Sequence, residues 1–320
     1  MWKILSLLQK NLIWAIPITM LLALVGGYAF DLSFLQAAII PLTFLMVYPM
    51  MVNLQMEQIF SKDDLPAQIT AQLINFALIP LIAYALGKWF FPESPAAVLG
   101  LLLAALLPTS GMTISWTGFA RGNLNAAIKM TVIGLILGSL ATPFYTQWLL
   151  GKSIAIPMGK IFMSIAVVVF LPMVAGYFTK RFLVGQYGKE HYRQHLAPKF
   201  PPLSTLGVLG IVFVAIALKA HDIIANPAVM LRYLLPLLLL YVLNFTISTL
   251  IGKWFFPRGD AIAIVYGTVM RNLSIALAIA MTAFAEHGAE IAVIIALAYI
   301  IQVQAAAWYV RLTDKIFGPA

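Results

Sequence analysis

Residues 107–123 read Leu-Pro-Thr-Ser-Gly-Met-Thr-Ile-Ser-Trp-Thr-Gly-Phe-Ala-Arg-Gly-Asn, and residues 266–274 read Tyr-Gly-Thr-Val-Met-Arg-Asn-Leu-Ser. The first is a hydrophobic helix interrupted by Pro108, Gly111 and five hydroxyl residues. The second carries Arg271 inside an otherwise apolar run. Each follows a near-identical marker, Leu86-Gly-Lys-Trp-Phe-Phe-Pro92 and Ile251-Gly-Lys-Trp-Phe-Phe-Pro257, offset by 165 residues. Two broken membrane helices in matching halves of a chain point to a transporter's substrate site.

Working outward, the chain is 62% hydrophobic and 10% charged, with repeated apolar runs near twenty residues, which excludes an ordinary soluble domain. Spans of membrane-crossing length fall at about 11–30, 34–54, 67–91, 95–119, 122–150, 157–180, 203–220, 228–256, 260–285 and 289–312. The fold class is therefore an all-α membrane protein of ten transmembrane helices. A polar turn, Glu57 to Asp64, separates the second and third, and a hydrophilic surface loop from Lys180 to Pro202 joins the halves. The start, Lys3 and Lys10 before the first apolar run, reads as a retained first helix.

Five helices per half is an odd number, so the second copy enters the membrane upside down: two inverted five-helix repeats. Gly118-Phe119-Ala120 against Ala283-Phe284-Ala285 keeps the 165-residue register beyond the marker. Lys and Arg outside the membrane core number thirteen on the side holding both termini and five opposite. That asymmetry places both termini in the cytoplasm of a multi-pass cell-membrane protein. The formal charge of +9 is thus a topology signal and implies no nucleic-acid partner. With no cysteine and four scattered histidines, the chain offers no thiolate or histidine metal site and calls for no cofactor.

Arg271 and Lys129 are cations at membrane depth, where a charge costs at least about 2.5–3.5 kcal/mol and faces a cavity or a partner. A structural pair with a carboxylate is the other reading of Arg271, but between Asp64 and Asp260 the acidic residues are Glu93, Glu190 and Asp222, all outside the spans. Lys129 lies about two turns into the fifth helix, within snorkelling reach of the cytoplasmic face. Thr109, Ser110, Thr113, Ser115 and Thr117 cluster beside Pro108 and Gly111; they can satisfy freed backbone groups, or line a site for substrate. Asn75, Asn244, Gln302 and Gln304 are single polar residues suited to interhelical hydrogen bonds.

At these residues the chain resembles the bile acid:sodium symporter superfamily, which also contains arsenite efflux permeases. Phe119-Ala-Arg-Gly-Asn123 is similar to the family's Leu-Ala-Arg-Gly-Asn, and Asn75-Phe-Ala-Leu-Ile-Pro80 to its Gln-Phe-Ala-Ile-Met-Pro. Arg271-Asn272 falls where the symporters have Gln-Asn. The resemblance covers essentially the whole of residues 1–320 as one transporter domain. It implies discontinuous helices four and nine that cross near mid-membrane, and core helices (about 67–150 and 228–312) moving against a panel (about 11–54 and 157–220).

The departures carry information. Sodium-coupled members have Ser-Asn where this chain has Thr113-Ile114, and an acidic residue where it has Gly267. The arsenite permeases have a cysteine at the place of Thr109 and a glutamate at Asn272, so arsenite thiolate chemistry is absent. At about 5 Å and an effective dielectric near 20, each added positive charge repels a sodium ion by roughly 3 kcal/mol.

The expectation is a secondary transporter of a small organic anion, working by alternating access without sodium. Its substrate residues are Arg271, Asn272, Thr109, Ser110, Gly111 and Thr113; Lys129, Asn75 and Thr131 are its coupling residues. Lys129 stands in for a bound cation or exchanges protons with the medium. The lipid bilayer is the other partner. The alternatives are a sodium-coupled symporter and, outside transport, a channel or receptor; an enzyme would lack paired membrane carboxylates, a histidine cluster or a nucleophilic cysteine.

Overall fold

A computed structural model describes residues 2–54, 64–152, 156–225, 227–284 and 287–319. Among these residues the chain is helical throughout, its only β-pairing being one isolated bridge. The helices are α1 Trp2–Lys10, α2 Leu12–Ala29, α3 Ile39–Val52, α4 Leu65–Leu73, α5 Ile79–Phe90, α6 Pro95–Leu106, α7 Gly111–Phe119, α8 Leu124–Leu150 and α9 Met158–Ile165. They continue as α10 Leu171–Tyr187, α11 Lys189–His191, α12 Phe200–Leu218, α13 Ala220–Ala225, α14 Ala228–Phe255, α15 Arg258–Val269, α16 Leu273–Ala283 and α17 Gly288–Phe317.

Among the described residues seven continuous helical stretches are long and apolar enough to cross a membrane: Ser33–Val52, Leu65–Phe90, Leu124–Leu150, Met158–Tyr187, Lys189–Leu218, Met230–Phe255 and Gly288–Phe317. Trp14–Ala29, Pro95–Leu106 and Leu273–Ala283 are shorter apolar helices. The expected polar turn before the third span lies, apart from Asp64, outside the described residues.

The Lys180 to Pro202 segment is not the loop its polarity suggests. Helix α10 runs on to Tyr187, Gly188 (φ 82°) ends it, and helical turns continue from Lys189 to Lys199. Its Lys, Arg, Gln and Glu side chains are good helix formers once one face finds a partner. Here Tyr192 Oη donates to Val52 O at 3.2 Å, and Asn53 Nδ2 donates to Ala197 O at 2.8 Å. The orphan carbonyl of Val52 at the end of α3 is thereby used.

The chain forms two compact units. The first comprises Met1–Leu54, Pro157–Met230 and Ser274–Ala296; within it α3 packs on α10 and α12, and α2 on α12 and α13. The second comprises Gln55–Ile156, Leu231–Leu273 and Leu297–Ala320. At its heart lie α6, buried from Ala96 to Leu106, and α15, buried from Ala261 to Val269. Helices apolar on every side belong in such a position, and α8 packs against both.

Pro80 shapes the α4–α5 stretch. It has no N–H for the carbonyl four residues back, and the helix passes through a π-turn at Ile74–Leu78. Tyr145 Oη supplies the missing donor to Phe76 O.

Candidate functional site

The α6–α7 interruption is built by its own residues. Pro108 removes a backbone donor, Thr109 takes the left-handed conformation (φ 62°), and Ser110 is extended. The chain re-enters a helix at Gly111 through a capping box: the Met112 amide donates to Ser110 Oγ (3.2 Å) and the Ser110 amide to Thr113 Oγ1 (3.1 Å). Thr109 Oγ1 lies 2.6 Å from Pro108 O and 3.2 Å from Thr131 O, so its one proton is shared between them. Three predicted substrate hydroxyls, Thr109, Ser110 and Thr113, are buried, and each also bonds the backbone of the break. Gly111 is exposed, and a Cβ there would meet no atom within 4 Å. Two glycines let α8 pass close behind: a Cβ at Gly134 would lie 2.6 Å from Thr109 Oγ1, and one at Gly138 2.8 Å from Pro108 Cδ.

The α15–α16 interruption, Met270–Asn272, orphans the carbonyls of the last turn of α15. Side chains from neighbouring helices cap two of them: Asn75 Nδ2 donates to Gly267 O (3.0 Å) and Asn244 Nδ2 to Thr268 O (2.9 Å). The two interruptions then pair with each other. Arg271 bridges Pro108 in antiparallel sense, and the Asn272 amide donates to Leu107 O at 2.7 Å. On its other edge the Arg271 amide donates to Gln302 Oε1 (2.8 Å), while Gln302 Nε2 donates to Arg271 O (3.2 Å).

Arg271 is 3% exposed. Its Nη1 donates to Ala105 O at 3.0 Å, one of the carbonyls left free where α6 ends. Its Nη2 is enclosed and has no hydrogen-bond partner. Among the described residues Arg271 makes no ion pair. An enclosed charged donor left unmatched costs at least about 1–3 kcal/mol, more than a neutral one, so this arrangement calls for an acceptor.

Lys129 is not alone as a charge: its Nζ lies 3.2 Å from Asp64 Oδ2, with the two side chains 3% and 13% exposed. Asp64, in a left-handed conformation ahead of α4, comes from a polar turn 65 residues upstream, and no helical periodicity links the two. Asn123 Nδ2 donates to Asp64 Oδ1 (2.9 Å) and Asp260 Oδ1 (2.7 Å), while its Oδ1 accepts the Ala126 amide and caps α8. The Ala-Arg-Gly-Asn segment thus ties the starts of α4, α8 and α15 together. Asp64, Asn123 and Asp260 were not among the predicted site residues; the sequence signals for them are their places beside helix starts and, for Asn123, the Ala-Arg-Gly-Asn motif.

The predicted coupling residue Thr131 turns its hydroxyl back to Ala127 O (2.8 Å). Gly267 faces Met130, and a Cβ there would lie 2.5 Å from Met130 Sδ. Among the described residues no three His, Asp or Glu side chains are grouped as metal ligands.

The model of the Sodium Bile acid symporter family matches residues 40–226. The chain is 24% identical over 268 residues to the arsenical-resistance protein Acr3 of Alkaliphilus metalliredigens, covering 79% of this chain and 75% of that one. It is 24% identical over 238 residues to the uncharacterized sodium-dependent transporter YocS of Bacillus subtilis, covering 74% and 72%. It is 25% identical over 190 residues to the sodium/bile acid cotransporter 7 of Rattus norvegicus, covering 56% and 53%. With a family match over more than half of a helical, multi-pass chain, the protein belongs to the sodium bile acid symporter family of membrane transporters.

Proposed function

We propose that this chain is a secondary active transporter of a small organic anion, operating by alternating access without sodium. The observation that carries the reading is Arg271: a buried guanidinium with no carboxylate partner among the described residues and an enclosed, unpartnered Nη2. A carboxylate or sulfonate oxygen is the acceptor such a nitrogen lacks. Asn272 and the exposed Gly111, where α7 begins beyond its Ser110 cap, complete the site. Thr109, Ser110 and Thr113 hold that end in place. Lys129, paired with Asp64, takes the part of a coupling cation, with Asn75 and Thr131 as the other coupling residues; proton exchange at Lys129 is its alternative role.

The architecture proposed is ten helices in two inverted repeats, with a core (about 67–150 and 228–312) moving against a panel (about 11–54 and 157–220) and both termini cytoplasmic. Three relations support the repeat. Segment lengths recur, with 12-residue α6 and α15 followed by short helices of 9 and 11 residues and then long ones of 27 and 30. A Cβ on Gly87 of the first marker would press on Val98 Cγ1 (2.8 Å), and one on Gly252 of the second on Ala261 Cα (3.2 Å). The bonded pair Leu107 and Asn272 is separated by the marker offset of 165, so equivalent residues meet in antiparallel sense, as a local two-fold axis requires.

One observation favours a sodium-coupled reading. Gln68 Oε1, both amide atoms of Gln72, and Asn75 Oδ1 are enclosed without partners on one face of the third span, and such oxygens suit a hard cation. Counterflow in proteoliposomes, with sodium replaced by choline at fixed pH and potential, separates the two. Saturable counterflow that persists in choline supports the first reading; its loss supports the second.

A further inference from the structure

We propose that Gln302, oriented by Tyr241, is the positioning residue of the Arg271 site: its side-chain amide acts as a surrogate strand that fixes the extended Arg271 segment and so aims the guanidinium. The proposal rests on the reading of Arg271 as the anion contact. In an antiparallel pairing successive residues direct their main-chain groups to alternate edges. Asn272 turns its N–H toward Leu107, so Arg271 turns its own N–H and C=O away from that strand. Among the described residues no third strand pairs with them there, and buried main-chain groups must be paired. Gln302 meets both, accepting from the Arg271 amide at 2.8 Å and donating to the Arg271 carbonyl at 3.2 Å.

The amide has one workable orientation. Turned over, its NH2 would face the Arg271 N–H and its oxygen the Arg271 carbonyl. Tyr241 Oη donates to the same Gln302 Oε1 at 2.9 Å and holds the side chain from behind. Gln302 is fully buried and comes from α17, while Tyr241 comes from α14. Two helices thereby clamp the break in a third from the edge opposite Pro108. With the backbone held on both edges, the guanidinium is left to reach Ala105 O and to present Nη2.

The test uses the full-length protein with Gln302→Leu, Gln302→Glu and Tyr241→Phe, alone and combined with Arg271→Gln. Gln302→Glu keeps the acceptor and loses the donor; Tyr241→Phe leaves the amide in place and guards against a leucine variant that fails to fold. The first readout is deuterium exchange at the Arg271 amide. It should quicken about tenfold or more in Gln302→Leu and less in Tyr241→Phe, the scale of one lost hydrogen bond. Unchanged exchange overturns the proposal. The second readout is equilibrium binding of benzoate and benzenesulfonate. Gln302→Leu should weaken binding about tenfold, and the double variant should bind no worse than Arg271→Gln alone, because Gln302 acts through Arg271. Fully additive losses overturn it. If the wild type binds neither probe, the anion reading of Arg271 is what fails, and the exchange arm still upholds or overturns the hold of Gln302.

Discussion

Leu107 and Asn272, 165 residues apart, are joined by a 2.7 Å hydrogen bond from the Asn272 amide to the Leu107 carbonyl. It links the interruption of one apolar helix to that of another at the same point of the duplicated sequence. The first interruption is capped by its own Ser110 and Thr113, whereas the second draws on Leu107 of the first together with Gln302, Asn75 and Asn244. An inserted side chain that forces the two strands apart should therefore disturb both halves of the site at once.

Gly138→Ala tests this coupling. The added Cβ would fall 2.8 Å from Pro108 Cδ and 3.1 Å from Leu106 O, too close for either to stay in place. Overpacking of this kind typically costs about 1–3 kcal/mol. A lowered melting temperature in detergent and slower counterflow are expected, whereas Gly159→Ala, which meets no atom within 4 Å, should change neither.

Lys129→Gln should slow turnover more than it weakens anion binding, since Lys129 sits in the Asp64–Asn123–Asp260 network and not at the paired breaks. Breaking a buried pair by removing one partner costs about 3–5 kcal/mol, and less where a partner is partly exposed as Asp64 is. Melting temperature should fall in Lys129→Gln and recover in part when Asp64→Asn is added. A double variant no more stable than the single one would show that the pair is not coupled.

Initial uptake should survive replacement of sodium by potassium or choline at constant pH and membrane potential. Met130 Sδ lies against Gly267, and Asn75 Nδ2 is committed to the Gly267 carbonyl, which leaves little of an ion site there. A tenfold loss of rate would mean that sodium binds through the enclosed oxygens of Gln68, Gln72 and Asn75.

Much of this organisation was legible in the residues. Pro108, Gly111 and the hydroxyls around them announce a break because proline removes a donor and hydroxyls repair carbonyls, and the helix does stop at Leu106 and restart at Gly111. The duplicated Gly-Lys-Trp-Phe-Phe-Pro marker pointed to the second break at Met270–Asn272. What escaped was long-range pairing. Asp64 reads as a turn residue, and its bond to Lys129 depends on how α4 and α8 pack. Gln302 reads as one polar residue on an apolar helix, and nothing local marks it as the partner of Arg271. The polarity of residues 180–202 concealed a helix because its partner, the end of α3, lies more than a hundred residues away.

The claim that Arg271 holds the substrate anion is tested most directly by equilibrium binding to purified wild type, Arg271→Gln and Arg271→Lys, using the organic anion that most raises the melting temperature in a ligand screen. Arg271→Gln should weaken binding by about 1.5–3 kcal/mol, the scale of a charge-assisted hydrogen bond. Arg271→Lys should restore only part, because an ammonium cannot reach Ala105 O and the anion with the same planar geometry. Unaltered affinity in Arg271→Gln would contradict the account.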